Sequence, residues 1–276
     1  DYEIKVYPGG NYAISVNPGC VEYTHKSDPV YDVPLGASLN ISATLAMDSD
    51  INRAFQISQA VITAARYFEA MEGHTLPQVH VMYPHEYDES DFFYDIIETS
   101  QMDRYFLYVN HEIRLDDRPN SYASWDAIMH EYGHHVACLS GITEMPISPY
   151  HATLGNCIDM AISHLDILDI ELEEAKELGL VTAWGEAYPT VFALLAQDYY
   201  SQSLNNMTVG DATYTASNHP AFDIESRTNV YGDGCEAAIM GVLWDLFDNT
   251  PTETHDTISM SHSSFWSLVT DSGAVT

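Results

Sequence analysis

Residues 130–135 read His-Glu-Tyr-Gly-His-His, and this run, with the residues around it, confines its part of the chain to a helix. Positions 130 and 134 differ by four residues, about 40° of helical rotation, so both imidazoles leave the same face. Glu131 stands about 100° further round. Ile128, Met129, Val136, Ala137 and Leu139 supply apolar positions for a core. The pattern predicts a helix from Trp125 to Leu139, with Ser121 or Ser124 as N-cap and Asp126 at its positive end. Gly133 is the odd member, because glycine in mid-helix costs about 1 kcal/mol against alanine. Its presence points to another segment or a ligand lying close against the helix.

Two imidazoles at this spacing can reach one ion at about 2.0–2.1 Å, and Glu131 can reach a water on that ion without itself being a ligand. Residues 124–136, Ser-Trp-Asp-Ala-Ile-Met-His-Glu-Tyr-Gly-His-His-Val, resemble the active-site helix of the gluzincins, the thermolysin-like zinc peptidases. Asp126 repeats the acid that precedes the first histidine by four positions in that family. The resemblance implies a zincin-like α+β fold: an upper lobe with a mixed sheet and the motif helix, and a mainly helical lower lobe. It also implies a third metal ligand, a Glu on a later helix. Glu186, within Trp184-Gly185-Glu186-Ala187, matches that signature best, and Glu236, within Cys235-Glu236-Ala237, is the rival. The family usually carries an Asp four residues after the third ligand, to orient a zinc-bound His; Thr190 occupies that place here. Pro189 should lie in the first turn of the Glu186 helix or kink it. A metzincin reading fails, since its glycine and third histidine would fall at Ala137 and Ser140.

His130, His134 and Glu186 around one Zn2+ would leave a position open for water, with Glu131 as general base in peptide hydrolysis. One of the other histidines, Tyr188 or Tyr231 would share the charge on the carbonyl oxygen; the sequence does not choose among them. Those other histidines, His151 included, otherwise read as packing or surface residues, and His135 points away from the metal face. The competing reading is a non-catalytic, zinc-containing module of a larger surface protein that binds peptides or glycans.

Charge sets the outer bounds. There are 41 acids against 9 bases, a formal net charge of -32. Such a surface repels nucleic acid and anionic membranes, and it suits a secreted or extracellular protein acting on peptides or proteins. Calcium is a second candidate ion, but Asp48-Ser49-Asp50 lacks the glycine and terminal Glu of an EF-hand loop. No apolar run approaches the roughly 20 residues that cross a bilayer. Cys20, Cys138, Cys157 and Cys235 form no C-x-x-C pair, which leaves two disulfides or four free thiols open.

Residues 1–46, with short alternating runs between Pro-Gly turns, predict a small β-rich segment. The catalytic domain is expected over 47–276, its upper lobe about 47–140 and its lower lobe about 141–276. Within it, periodicity predicts helices near 50–71, 157–168, 187–200 and 236–247, and strands at 78–83 and 104–114. Asp48 or Asp50 would cap the first helix, and the acidic stretch 171–177 would be the solvated face of another.

Overall fold

A computed structural model describes residues 49–77, 79–83, 112–115, 125–143, 155–200, 232–248 and 258–271, with short pieces at 5–6, 14–17, 25–26, 106–109, 151, 213–214 and 222–224. The architecture is α+β and mostly helical. Strands β1 (Lys5–Val6) and β3 (His25–Lys26) form one small antiparallel pair, and β7 (Thr213–Tyr214) with β8 (Phe222–Asp223) another. The main sheet has the order β2 (Ile14–Asn17), β4 (Val79–Met82), β6 (Glu112–Leu115), β5 (Phe106–Val109). Its first three strands are parallel, and β5 runs antiparallel to β6 along one edge. Residues 104–114, expected as one strand, thus hold a hairpin. Within the first 46 residues, β2 joins the main sheet by pairing with β4. Strand alternation is clear in the centre: Val79, Val81, Ile113 and Leu115 are buried, while His80 is exposed.

Helix α1 (Asp50–Glu72) forms where the apolar stripe predicts, burying Ala54, Val61 and Phe68. Its N-cap is Ser49, whose hydroxyl accepts from the Asn52 amide at 3.2 Å, in place of the expected Asp48 or Asp50. Gly73 ends it in the left-handed conformation, φ 75°, with its amide donating to the Glu69 carbonyl. Helix α2 (Trp125–Leu139) has the expected bounds, while both serines proposed to cap it lie outside the described residues. The helix expected at 157–168 is two pieces, α3 (Cys157–Ser163) and α4 (Leu165–Leu168). Asn156 caps α3 through its side-chain oxygen, which accepts from the amides of Ile158 and Asp159.

The largest departure is α5 (Leu172–Tyr200), one helix of 29 residues where two shorter segments are expected. Pro189 begins nothing; it lies in the interior of α5. Proline there removes one helical hydrogen bond, a loss that tertiary packing has to offset. The packing is present: from Thr182 to Gln197 nearly every residue is buried, with α2 on one side and α6 (Glu236–Phe247) and α3 on others. By length and composition α5 could cross a membrane, but 78% of its apolar window is buried inside the protein, as in the core helix of a globular domain.

Helix α7 (His262–Asp271) has no counterpart among the expected elements. It buries Phe265, Trp266 and Val269, and polar pins fix it. The Tyr67 hydroxyl donates to His262 Nδ1 at 3.2 Å, and His262 Nε2 donates to Asp198 Oδ2 at 3.1 Å. Trp266 Nε1 donates to the Glu72 carboxylate. Burial holds the Tyr67 phenol far above its ordinary pKa, and the nearby charge of Asp198 adds to that.

Candidate metal centre

The site lies where α2 and α5 cross, and the crossing is unusually tight. A Cβ added to Gly133 would stand 2.8 Å from Pro189 Cα and 2.9 Å from Pro189 Cβ. Gly133 is therefore a glycine because a second helix backbone presses on it, the close approach that the sequence predicts. On α2 the histidines flank that contact in sequence; on α5, Glu186 and Thr190 flank Pro189. The two helices thus face each other with His130, His134 and Glu186 at the seam.

His130 Nε2, His134 Nε2 and Glu186 Oε2 converge there. Their separations are 3.0 Å between the two nitrogens, 3.1 Å from His130 to Glu186 and 3.5 Å from His134 to Glu186. Ligands placed about 2.0–2.1 Å from one tetrahedral ion stand about 3.3 Å apart, a value these distances straddle. Two imidazoles and one carboxylate are also a donor set that divalent ions accept. All three residues are buried, so without an ion these groups would face one another with little solvent between them. The group could hold a metal ion.

Thr190, one turn after Glu186 on α5, lies against His130. Its hydroxyl donates to the Glu186 carbonyl at 3.3 Å and accepts from His130 Nδ1 at 2.9 Å. An Nδ1–H held this way leaves Nε2 bare and aimed at the centre. His135 points away, as expected: fully buried, it donates from Nε2 to the Pro77 carbonyl at 3.1 Å.

Glu236, the rival candidate, is not in the group that could hold an ion. It is 1% exposed, and its Oε1 sits 2.8 Å from His151 Nδ1 and 3.3 Å from Cys157 Sγ. His151 in turn directs Nε2 toward Glu186 Oε1 at 3.7 Å. Glu236 is therefore one residue removed from the centre. His151 is the site member that periodicity misses: it lies outside any helix or strand, after Pro146 and Pro149, and only the tertiary fold brings it here. Tyr188 is a core residue whose hydroxyl finds no hydrogen-bond partner among the described residues and feels Tyr67 and Glu72. Tyr231 lies outside the described residues.

Electrostatics follow from packing acids and imidazoles together. Burial raises the Glu131 carboxyl above its usual value, and His134 and His130 pull it back only in part. For Glu186, burial also pushes upward, but His151 and His134 outweigh it and hold the carboxyl well below the usual range. Burial alone would lower His134, yet the Glu186 carboxylate raises it. His151 shows the same balance, with burial overcome by Glu186 and Glu236, and is pushed up to about 10. Among the described residues Cys138 and Cys235 are free thiols, the Cys157 thiol donates to Glu236, and Cys20 lies outside the described residues. Comparison with known protein families, with curated proteins and with solved structures finds no match to this chain.

Proposed function

We propose that this protein is a zinc-dependent peptidase of zincin-like fold, working outside the cell on peptides or proteins. The observation that carries this reading is the convergence of His130, His134 and Glu186, with Glu131 on the same helix and within electrostatic reach of all three. A binding module that merely used the ion as a brace would have no use for a buried acid beside it. The ion that best suits two imidazoles and a carboxylate is zinc, which when bound supplies Lewis-acid chemistry, activating water and polarising a carbonyl at neutral pH.

The chain's own residues do the rest. Glu131 accepts the proton of the attacking water and hands it to the departing amine, so one group serves as base and then acid. Thr190 keeps His130 in the tautomer that presents Nε2. The edge strand β5 packs beside α2, and an extended peptide laid along that edge would add a strand to the sheet and pass the centre. The strongly acidic surface suits an extracellular setting and basic rather than acidic substrates.

Glu131→Gln tests the assignment. The variant should bind one zinc per chain, as the wild type does, and should lose casein hydrolysis by about 100-fold or more. Equal hydrolysis by both proteins would remove Glu131 from the mechanism, and zinc without hydrolysis in the wild type would favour the binding module.

A further inference from the structure

A polar side chain shut away from water has to find a partner inside the protein. His135 is such a group. Its ring is fully buried on α2, one residue after His134 and turned away from the face that His130 and His134 share. Its Nε2 donates to the Pro77 carbonyl at 3.1 Å, across 58 residues of chain. A carbonyl only accepts, so Nε2 carries a proton whatever the state of the other ring nitrogen. The ring also packs at 5.4 Å against Tyr132, which lies 6.4 Å from Phe192 of α5. Pro77 stands two residues before β4, the strand that pairs with β6 and through it reaches the edge strand β5.

We infer that His135 is a positioning residue: it ties the motif helix to the approach into β4, and so fixes where the metal centre stands relative to the edge strand. This rests on the reading of the protein as a zinc peptidase whose substrate lies along β5. Helix α2 is fixed on two sides. Toward α5, the contact of Gly133 with Pro189 sets the spacing of His130, His134 and Glu186. Toward the sheet, α2 lies beside β5, and apolar contact there is non-directional, leaving a helix free to slide or turn by a fraction of an ångström. The bond to Pro77 has a direction. It holds α2 to the approach into β4, and the pairs Val81↔Ile113 and Tyr108↔Ile113 carry that reference across β6 to β5. Without the bond, α2 and α5 would keep their own contact and shift as a pair against the sheet. The ion would stay bound while the substrate bond met it out of place, and a misplacement of about 1 Å costs about 100-fold in rate.

The test sets zinc affinity, read by competition with a chromophoric chelator, beside initial rates on dye-labelled casein for three variants. His135→Asn puts an amide where Nδ1 stands and cannot reach Pro77, His135→Phe keeps the bulk without a donor, and His135→Gln brings an amide to the place of Nε2. In the Asn and Phe variants kcat should fall about 10–100-fold, with KM and the zinc dissociation constant within about twofold of the wild type. The Gln variant should recover most of kcat. Unchanged kcat in the Asn and Phe variants, a Gln variant as slow as the Asn variant, or zinc binding that weakens in step with kcat would overturn the assignment. The metal-free wild type supplies a check that needs no activity. In an NMR spectrum of isotope-labelled histidines, the ring signal lost in His135→Phe should carry an Nε2 proton that is slow to exchange, and a bare Nε2 there also overturns it. Circular dichroism checks each fold, and the Asn–Gln comparison stands by itself where the Phe variant does not fold. An active wild type matched by its variants sinks the role of His135 alone, whereas a wild type that binds zinc and leaves casein intact sinks the peptidase reading.

Discussion

Replacing Gly133 by alanine sets two effects of opposite sign against each other. In an isolated helix the change is favourable by about 1 kcal/mol. In this protein the new methyl would stand 2.8 Å from Pro189 Cα, 2.9 Å from its Cβ and 3.1 Å from its carbonyl oxygen, where ordinary contact begins near 3.4 Å. Relief requires α2 and α5 to separate by about 0.6 Å, because backbone and a proline ring offer no rotamer that could turn aside. Overpacking of this kind costs about 1–3 kcal/mol, so the metal-free protein should be destabilised by about 0–2 kcal/mol net. The larger effect should fall on the metal. His130 and His134 ride on one helix and Glu186 on the other, and a binding constellation tolerates displacement of only about 0.5 Å. Zinc affinity should fall at least about tenfold, about 1.4 kcal/mol. Urea unfolding of the metal-free protein reads the first quantity, and chelator competition reads the second. A variant that is more stable by about 1 kcal/mol and binds zinc as before would refute the claim that the two backbones touch at Gly133.

Thr190→Val keeps the shape but removes the oxygen that accepts from His130 Nδ1, and should weaken zinc about 10–100-fold; Thr190→Asp should restore it, and equal affinity in all three would remove Thr190 from the site. Alkaline stability should depend on Tyr67. Its folded pKa is raised while the unfolded phenol ionises near about pH 10, so its stabilising effect is complete below that pH and is lost as pH rises through it, at about 1.4 kcal/mol per pH unit. Tyr67→Phe should flatten the fall in urea stability between about pH 10 and 11 by that slope, leaving a similar share to Tyr188. Gly179→Ala should lower the melting temperature more than Gly133→Ala, since its methyl would meet Ile158 Cα at 2.5 Å; a rise instead would contradict the α3–α5 packing.

Much of the centre is legible in the sequence because four of its residues obey one-dimensional rules. His130, Glu131 and His134 are fixed by helical spacing, and Gly133 announces a close approach without saying by what. Glu186 and Glu236 are equal in kind, a Glu followed by Ala in an apolar helix, and only packing puts Glu186 beside the two histidines and leaves Glu236 outside that group. The bounds of α2 and α6 follow from apolar periodicity flanked by polar residues. Other bounds fail for physical reasons. Pro189 reads locally as a breaker, yet α5 runs through it because α2 packs on that turn. His151 belongs to no periodic segment, so no spacing rule could mark it. Two of the polar pins of α7 span nearly 200 residues of chain and the third 64, beyond any local pattern.

The same contact that makes the site also makes the core. Gly133 and Pro189 let α2 and α5 approach until each helix buries almost all of its middle, and this depth keeps His130, His134 and Glu186 from water. A buried carboxylate beside two imidazoles cannot be satisfied by solvent, so its stability has to come from partners: the imidazoles themselves, with Thr190 against His130 and His151 near the glutamate. Because the unfolded chain lacks this arrangement, an ion bound here stabilises the folded state, by about 2.7 kcal/mol at a hundredfold excess over its dissociation constant. Folding and metal binding therefore draw on one interface. Substitutions along the α2–α5 seam should shift both together, whereas those at the α7 pins should alter stability and leave metal affinity alone.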